Sequence, residues 1–545
     1  MVTVLGVFIG CVGLYSWQIL RVSLRTQPPK PVAEIQTTAD TPNIVYIMAD
    51  DLDFALMNQL PKLKALMADT GVTFLQHFVS LSLCCPSRAS ILCGQYAHNT
   101  GVYTNEAENA DGTSGAYTAF KEFNNEEKTV GVWLQQAGYR TALMGKYLNG
   151  YGDGSRVSYT PPIGWSEWVV PMAGNPYSQY NFTLNVNGER EPYYLAGCAN
   201  GTCHKDAFKT RDVVDKRANY MTNVLQTKAT DFITRASLDQ VPFFLYLATY
   251  SPHSPSTPSP EHEHLLTDKT WLAAHPLPRR AAFNETDTRD KPSWMDSVGQ
   301  LTTRDIKQLE EQYRKRLISM YSVEDLVEQV IATLTQTGQL ENTYIIFTSD
   351  NGYHLGEHRL LGGKLTAFDT DLHVPLFVRG PGIASRSTVT ALTANVDFAA
   401  TFADLVGVPV PATIDGRSFA PLLFGQSTVL RHALLLEHGD SKKTYTERTD
   451  TTDEPRDVDE PSGTSKGGEL VGKYIGLRTS RYTYVLYDAD KEQELYDNSV
   501  DPHQLTNVAL SADVSLLGTL RDWATDLSTC QGETCRSIEA ENRLE

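Results

Sequence analysis

The chain of 545 residues lacks a surplus of basic charge, an internal repeat and a rich supply of cysteine. Each shortage removes a class of function. With 47 Lys and Arg against 65 Asp and Glu, the net charge is -18. A protein built to coat nucleic acid needs a basic face, so nucleic acid is excluded as a partner. A small basic pocket in an acidic surface still admits an anionic ligand. The lack of a repeat sets aside stacked-repeat architectures. Eight cysteines cannot staple a chain this long, but 41% hydrophobic residues can supply a sizeable core.

What is present begins with Val2 to Leu20, nearly all apolar and uncharged until Arg21. That length just crosses a bilayer. Residues 1–25 read as a signal peptide or a membrane anchor, since a basic start and a small-residue cleavage site are both missing. Membrane contact is expected only through residues 2–20. Arg21, Arg25 and Lys30 follow the segment, and by charge bias alone would keep the rest cytoplasmic. Other features point the opposite way. Cys198 with Cys203, and Cys530 with Cys535, bound short loops of the kind a disulfide closes in an oxidising compartment. Asn181, Asn200 and Asn284 each open an N-glycosylation sequon. Together these place the main domain in the secretory pathway: extracellular, lysosomal, or anchored with its catalytic part lumenal.

Residues 26–42 form a polar, proline-containing linker. From Asn43 strands and helices alternate, which predicts an α/β domain around a large, mostly parallel sheet over 43–425. Four apolar runs read as buried strands: Ile44–Met48, Arg140–Met144, Phe243–Leu247 and Tyr344–Thr348. Residues 426–545 form a smaller domain with antiparallel strands at Tyr474–Thr479 and Tyr482–Tyr487, interrupted by a polar, charged loop at 439–469.

In open α/β sheets, ligands bind beyond the carboxyl ends of the strands. The four runs lead into Asp50-Asp51, Lys146, His253 and Asp350-Asn351. Three carboxylates and an amide are hard oxygen donors suited to Ca²⁺ or Mg²⁺. One such pair alone reads as a turn or helix cap. Two matched pairs, with Arg88, Lys146, His253 and Lys364 available as a cationic pocket, read as an anion site facing a metal. His354 and His358 have i, i+4 spacing but no third nitrogen or sulfur ligand nearby, and read as loop or rim residues. Lys307, Glu310, Glu311, Arg314, Lys315 and Arg316 read as the solvated face of a long helix.

The segment Leu83-Cys84-Cys85-Pro86-Ser87-Arg88 places two cysteines side by side. Adjacent cysteines are poor disulfide partners, so one of them is expected to serve chemistry. Cys84-x-Pro86-Ser87-Arg88 resembles the signature of the type I sulfatases, in which a dedicated enzyme converts the first cysteine into Cα-formylglycine. Gly138–Leu148, Pro252–Pro255, Ser349–Gly352 and Glu494–Asp497 with Asp501-Pro502 match further motifs of that family in order. The chain resembles in particular the N-acetylglucosamine-6-sulfatases and eukaryotic arylsulfatases.

The resemblance implies an alkaline-phosphatase-like sandwich and a sulfuric ester hydrolase acting on an aryl sulfate or on 6-O-sulfated N-acetylglucosamine. It implies Cys84 as the modified nucleophile, with one Ca²⁺ (or Mg²⁺) held by Asp50, Asp51, Asp350, Asn351 and residue 84. Arg88 and Lys146 would hold the formylglycine diol. Lys146, His253 and Lys364 would bind sulfate, with His253 or Lys364 protonating the leaving alcohol. The implied partners are a sulfated glycan or small molecule, and a formylglycine-generating enzyme during maturation. Two departures stand out. Leu148 and Asn149 occupy positions where many members carry a histidine, and Cys93 stands where threonine is commoner, a packing change. The alternatives are a phosphoester hydrolase of the same superfamily and a non-catalytic glycan-binding protein.

Overall fold

The computed structural model describes residues 41–439 and 471–544, except 110, 153–159, 196–197, 200–201, 204–212 and 489–490. The signal or anchor expected at 1–25, nearly all of the linker at 26–42 and nearly all of the loop at 439–469 lie outside them. No helix among the described residues is long and apolar enough to cross a membrane.

The main sheet has ten strands: β1 (Asn43–Asp50), β2 (Val72–Phe74), β3 (Arg140–Gly145), β4 (Glu167–Gly174), β5 (Phe182–Val186), β6 (Glu189–Tyr193), β7 (Phe243–Pro252), β8 (Thr343–Ser349), β9 (Leu376–Arg379) and β10 (Ser387–Val389). Their order is β10-β2-β9-β8-β1-β7-β3-β4-β5-β6. The four apolar runs become the central strands β3, β7, β1 and β8, all parallel to their neighbours within this group. Every residue of β1, β7 and β8 is buried, as expected of strands covered on both faces. Antiparallel pairings appear toward the margins, at β8–β9, β9–β2, β4–β5 and β5–β6. The sheet is therefore mixed and mostly parallel.

Side chains of a strand alternate between faces, and β1 shows how this sorts the core. Val45, Ile47 and Ala49 join one apolar cluster with helices α1 (Met221–Leu238) and α2 (Thr303–Gln336). Tyr46 points the other way, its ring 5.1 and 5.2 Å from Phe398 and Phe402 of helix Phe398–Leu405. Helix α2 starts at a capping box between Thr302 and Asp305. It buries Leu309, Tyr313, Leu317, Met320, Val327, Val330 and Leu334 at helical spacing.

A second sheet of four antiparallel strands follows: β11 (Ala433–His438), β12 (Tyr474–Thr479), β13 (Tyr482–Tyr487) and β14 (Gln493–Asp497). Its core is continuous with Phe78, Leu81, Tyr96, Phe368 and Leu372 of the main body. The change of sheet near residue 425 thus falls within one compact unit, Thr37–Glu545.

Cys530 and Cys535 form a disulfide. Cys198 and Cys203 face each other across a two-residue antiparallel pair; their side chains, like Asn200, lie outside the described ones. Asn284 is half-buried. Asn181 is only 4% exposed, and its Oδ1 accepts the Leu195 N–H at 3.0 Å. That burial opposes a glycan there in the folded chain.

Candidate active site

Strand register assembles the site. Ala49 of β1 pairs with Ser349 of β8, so Asp50-Asp51 and Asp350-Asn351 leave adjacent strands side by side. Asp50 pairs with Pro252 on the other flank, which brings His253 to the same edge. Ala248 pairs with Gly145, which delivers Lys146. Gly145 has φ +97°, and a Cβ there would meet the Ala248 carbonyl oxygen at 1.8 Å. Only glycine permits that close approach, which aims Lys146 inward.

Cys84 is the first residue of a wholly buried helix, Cys84–Cys93, and Arg88 lies one turn further along. Spacing of i, i+4 puts both on one face. The Cys84 Sγ lies 2.8 Å from Lys364 Nζ, 3.3 Å from Asp50 Oδ1 and 3.9 Å from Asp51 Oδ1. Lys364 also donates to Asp51 Oδ1 at 2.6 Å, and Lys146 to Asp50 Oδ2 at 2.9 Å. Arg88 grips Asp350 Oδ2 through Nε at 2.8 Å and a terminal nitrogen at 2.7 Å, and donates to the Lys146 carbonyl. The His253 Nε2 lies 3.8 Å from Asp51 Oδ2, while its Nδ1 is 2.8 Å from the Ser254 carbonyl. The catalytic and metal-site candidates named from the sequence, Asp50, Asp51, Cys84, Arg88, Lys146, His253, Asp350, Asn351 and Lys364, therefore lie within one cluster.

The cluster's electrostatics are tight. Asp50, Asp51 and Asp350 face Arg88, Lys146 and Lys364, and each of these six is at most 3% exposed. Burial pushes the Asp50 carboxyl up to about 6 against the pull of Lys146. At Asp350 burial also pushes upward, but Arg88, Lys146 and Lys364 outweigh it and hold the carboxyl below its usual range.

The donor set suits a hard divalent cation. One ligand atom from each of Asp50, Asp51, Cys84 and Asp350 falls within 4.8 Å of the others. Asn351 Nδ2 donates to Asp51 Oδ1 at 2.7 Å and to the Gly352 carbonyl at 2.8 Å, while its Oδ1 is buried with no hydrogen-bond partner among the described residues. A buried acceptor left without a donor is costly, and coordinating a cation removes the cost. Three carboxylates against three permanent cations balance to neutrality, so a divalent ion would give the cluster the positive charge an oxyanion needs.

Other expectations divide. His354 and His358 do not share a helix. His354 Nδ1 lies 2.9 Å from Asp371, and His358 Nδ1 lies 2.6 Å from Glu285. Each is a structural pair, consistent with their reading as non-metal residues. Cys85 and Cys93 are buried core, and burial pushes the Cys93 thiol up to about 12. Arg316 departs from the expected solvated helix face. It is 1% exposed, donates to the Asp51 carbonyl at 2.7 Å, and lies near Asp53 Oδ2 at 3.0 Å. Its place in the apolar stripe beside Tyr313, Leu317 and Met320 was the available signal. Tyr177 was also missed. Its ring lies 4.9 Å from Lys146 Nζ and 4.5 Å from the His253 ring. Nothing in the local sequence marks it, because it arrives from the loop after β4. A cleft of about 340 Å³ opens here, lined by Lys146, Asn149, Tyr177 and Tyr250 among others. Leu148 and Asn149 are buried at 4% and 6%, and Asn149 Nδ2 reaches the Tyr177 hydroxyl at 3.4 Å.

Comparison with known proteins agrees with this geometry. The sulfatase family model matches residues 42–408. The N-acetylglucosamine-6-sulfatase of Capra hircus is 34% identical over 514 residues, covering 91% of this chain and 85% of its own. The arylsulfatase of Volvox carteri is 29% identical, covering 91% and 75%. A solved structure in complex with its substrate, D-glucosamine-2-N,6-O-disulfate, superposes with TM-score 0.66 at 21% identity, covering 92% of this chain and 99% of that one. The last match shows shared fold only. The family model and the goat relative carry the assignment: the chain belongs to the sulfatase family and is an enzyme that hydrolyses sulfate esters.

Proposed function

We propose that the chain removes the 6-O-sulfate of N-acetylglucosamine units, using Cα-formylglycine formed from Cys84 and a Ca²⁺ ion. The observation that carries this reading is the position of Cys84. Its Sγ stands where the formylglycine oxygens would lie, between Lys364 Nζ at 2.8 Å and Asp50 Oδ1 at 3.3 Å. The orphaned Asn351 Oδ1 supports the ion. Asp50, Asp51, Asp350 and Asn351 would hold it. The hydrated aldehyde would supply the nucleophilic oxygen, and the ion would polarise the sulfate.

The chain's own groups do the rest. Arg88 fixes Asp350 through two contacts and so orients the acidic cluster. Lys364, in contact with residue 84, and Lys146, held by Asp50 beside it, present positive charge where charge develops on sulfate oxygens. With His253 Nδ1 donating to the Ser254 carbonyl, Nε2 faces the site, and it can give a proton to the leaving alcohol only from the imidazolium form of the ring. The buried start of the Cys84–Cys93 helix adds its dipole rather than free N–H groups, since the Cys85 N–H is taken by Asn105 Oδ1 and Pro86 has none. Because Cys84 is 0% exposed, its conversion by a formylglycine-generating enzyme precedes folding. The Cys530–Cys535 disulfide fits passage through the secretory pathway.

Likeness to N-acetylglucosamine-6-sulfatases supports the sugar over an aryl sulfate. Mass spectrometry of the peptide spanning residue 84 tests the nucleophile, and is expected to find formylglycine. A panel of sulfated sugars and an aryl sulfate tests the substrate. Unmodified cysteine from the native cell would favour a glycan-binding protein. Formylglycine with no activity on any sulfate ester would favour a phosphoester hydrolase.

A further inference from the structure

The cleft of about 340 Å³ beside the acidic cluster has walls of one character. Tyr147, Tyr151, Tyr177 and Tyr250 line it with aromatic rings, and Lys146 is the only charged side chain on its walls among the described residues. The Lys146 charge is already answered by Asp50, 2.9 Å away. The described walls therefore offer an occupant little charge. They offer ring surface with a few polar tips, the usual lining of a small-molecule site.

Three contacts join this cleft to the reacting centre. Lys146 lines the cleft and holds Asp50, whose Oδ1 is 3.3 Å from the Cys84 Sγ. The Tyr177 ring lies 4.9 Å from Lys146 Nζ and 4.5 Å from the His253 ring. Tyr250 packs edge-on against Tyr177 at 5.1 Å, and its carbonyl accepts the His253 N–H at 3.0 Å.

Tyr177 is also held in place before a ligand arrives. It sits in a short 3₁₀ turn, Pro176–Ser178, where Asn175 Oδ1 accepts the Ser178 N–H at 3.2 Å and Ser178 Oγ donates to the Asn175 carbonyl at 2.8 Å. Asn149 Nδ2 reaches the Tyr177 hydroxyl at 3.4 Å. Binding against a fixed ring costs little ordering entropy. Lys146 and His253 are at most 3% exposed, whereas Tyr177 is half-buried. A sulfate ester that reaches both cationic groups brings the skeleton behind its leaving oxygen up against Tyr177.

We infer that Tyr177 is a specificity-determining residue of this sulfatase, on whose ring the ring of the sulfated alcohol packs, while Asn149 meets a polar substituent of that ring; this rests on the proposed roles of Lys146 and His253. Tyr177 thereby selects ring-bearing esters, and Asn149 separates a sugar from a bare aryl group.

The test compares 6-O-sulfated N-acetylglucosamine, phenyl sulfate and, as a probe without a ring, inhibition by inorganic sulfate. Tyr177→Leu is expected to raise KM for both esters about tenfold, with kcat within threefold and inhibition by inorganic sulfate unchanged. Tyr177→Phe keeps the ring and should recover most of that loss. Asn149→Leu should raise KM for the sugar ester alone. A loss lodged in kcat, or a matching weakening of sulfate inhibition, would overturn the inference, since Tyr177 would then only prop Lys146 and His253. Unchanged KM for both esters in Tyr177→Leu would overturn it as well. If the wild type turns over phenyl sulfate and no sulfated sugar, the N-acetylglucosamine reading falls, and phenyl sulfate still decides the role of Tyr177. If it turns over neither, calorimetry of the two esters decides it: Tyr177→Leu should weaken binding about tenfold, and equal affinity would overturn the inference.

Discussion

Among the buried charge clusters of the described residues, two are built to opposite ends. One surrounds Cys84. The other ties the carboxy-terminal helix to the main body through Arg431, Asp397 and Glu539. Arg431 places two nitrogens on Asp397, at 2.6 and 2.5 Å, and its Nε on Glu539 at 2.9 Å. Asp397 also accepts the N–H groups of Ala394 and Arg417, and Glu539 accepts the Tyr96 hydroxyl. Every arm of the Arg431 fork has an acceptor, as a structural ion network requires. The Cys84 cluster is equally buried, yet it keeps the Asn351 Oδ1 without a donor and crowds three carboxylates within reach of one thiol. A closed network holds a fold together. An open one waits for an ion and an anion.

Substitutions can break this contrast. The largest effect is expected from Cys84→Ala, which should abolish sulfatase turnover while shifting the melting temperature by only a few degrees. Measurable turnover would refute the nucleophile. Next, Lys146→Ala should lower kcat/KM of the folded fraction by about 10²–10³, the usual loss of one oriented charge at such a site, whatever stability is lost by leaving Asp50 without its lysine. In the closed network the pattern inverts. Arg431→Leu leaves Asp397 and Glu539 buried without their cation and should cost about 3–5 kcal/mol in denaturant unfolding. The folded fraction should keep its kcat. If Arg431→Leu lowered kcat as Lys146→Ala does, the two clusters would not be separable.

The smallest effect concerns pH. His98 packs against the closed network, with Glu437 at 3.0 Å, the Cys530 carbonyl at 2.8 Å and the Tyr96 ring stacked on it. Burial works against its charge, but Glu437, the Cys530 carbonyl and Asp415 outweigh burial and raise it to about 9. A raised pKa means the folded state holds the proton more tightly. The resulting stability is complete below about 6.5, the unfolded value, and is lost as pH rises toward 9. Thermal melts across that range should show the decline in wild type and a flatter profile in His98→Gln, with the effect of Cys84→Ala independent of pH.

The legible parts of the fold were those with local signals. β1, β7 and β8 are continuous apolar runs, and such runs are what a two-sided sheet demands. Cys84, Arg88, Asp50-Asp51 and Asp350-Asn351 stood in short motifs. The poorly legible parts depend on contacts between distant segments. Arg316 looked like one more charge on a helix full of charges, and only its packing under Asp51 shows otherwise. Asn181 matched a sequon but is buried against Leu195. Tyr177 and Gln504 carry no pattern, because each acts through a neighbour far along the chain.

The amino-acid order by itself determined the parallel core and the chemistry-bearing residues at its strand ends, since hydrophobic runs and motif spacing are properties of neighbouring positions. Only the tertiary structure decided which charges close on one another and which stay open. Strand register sets those distances, and register is settled by packing across the whole sheet.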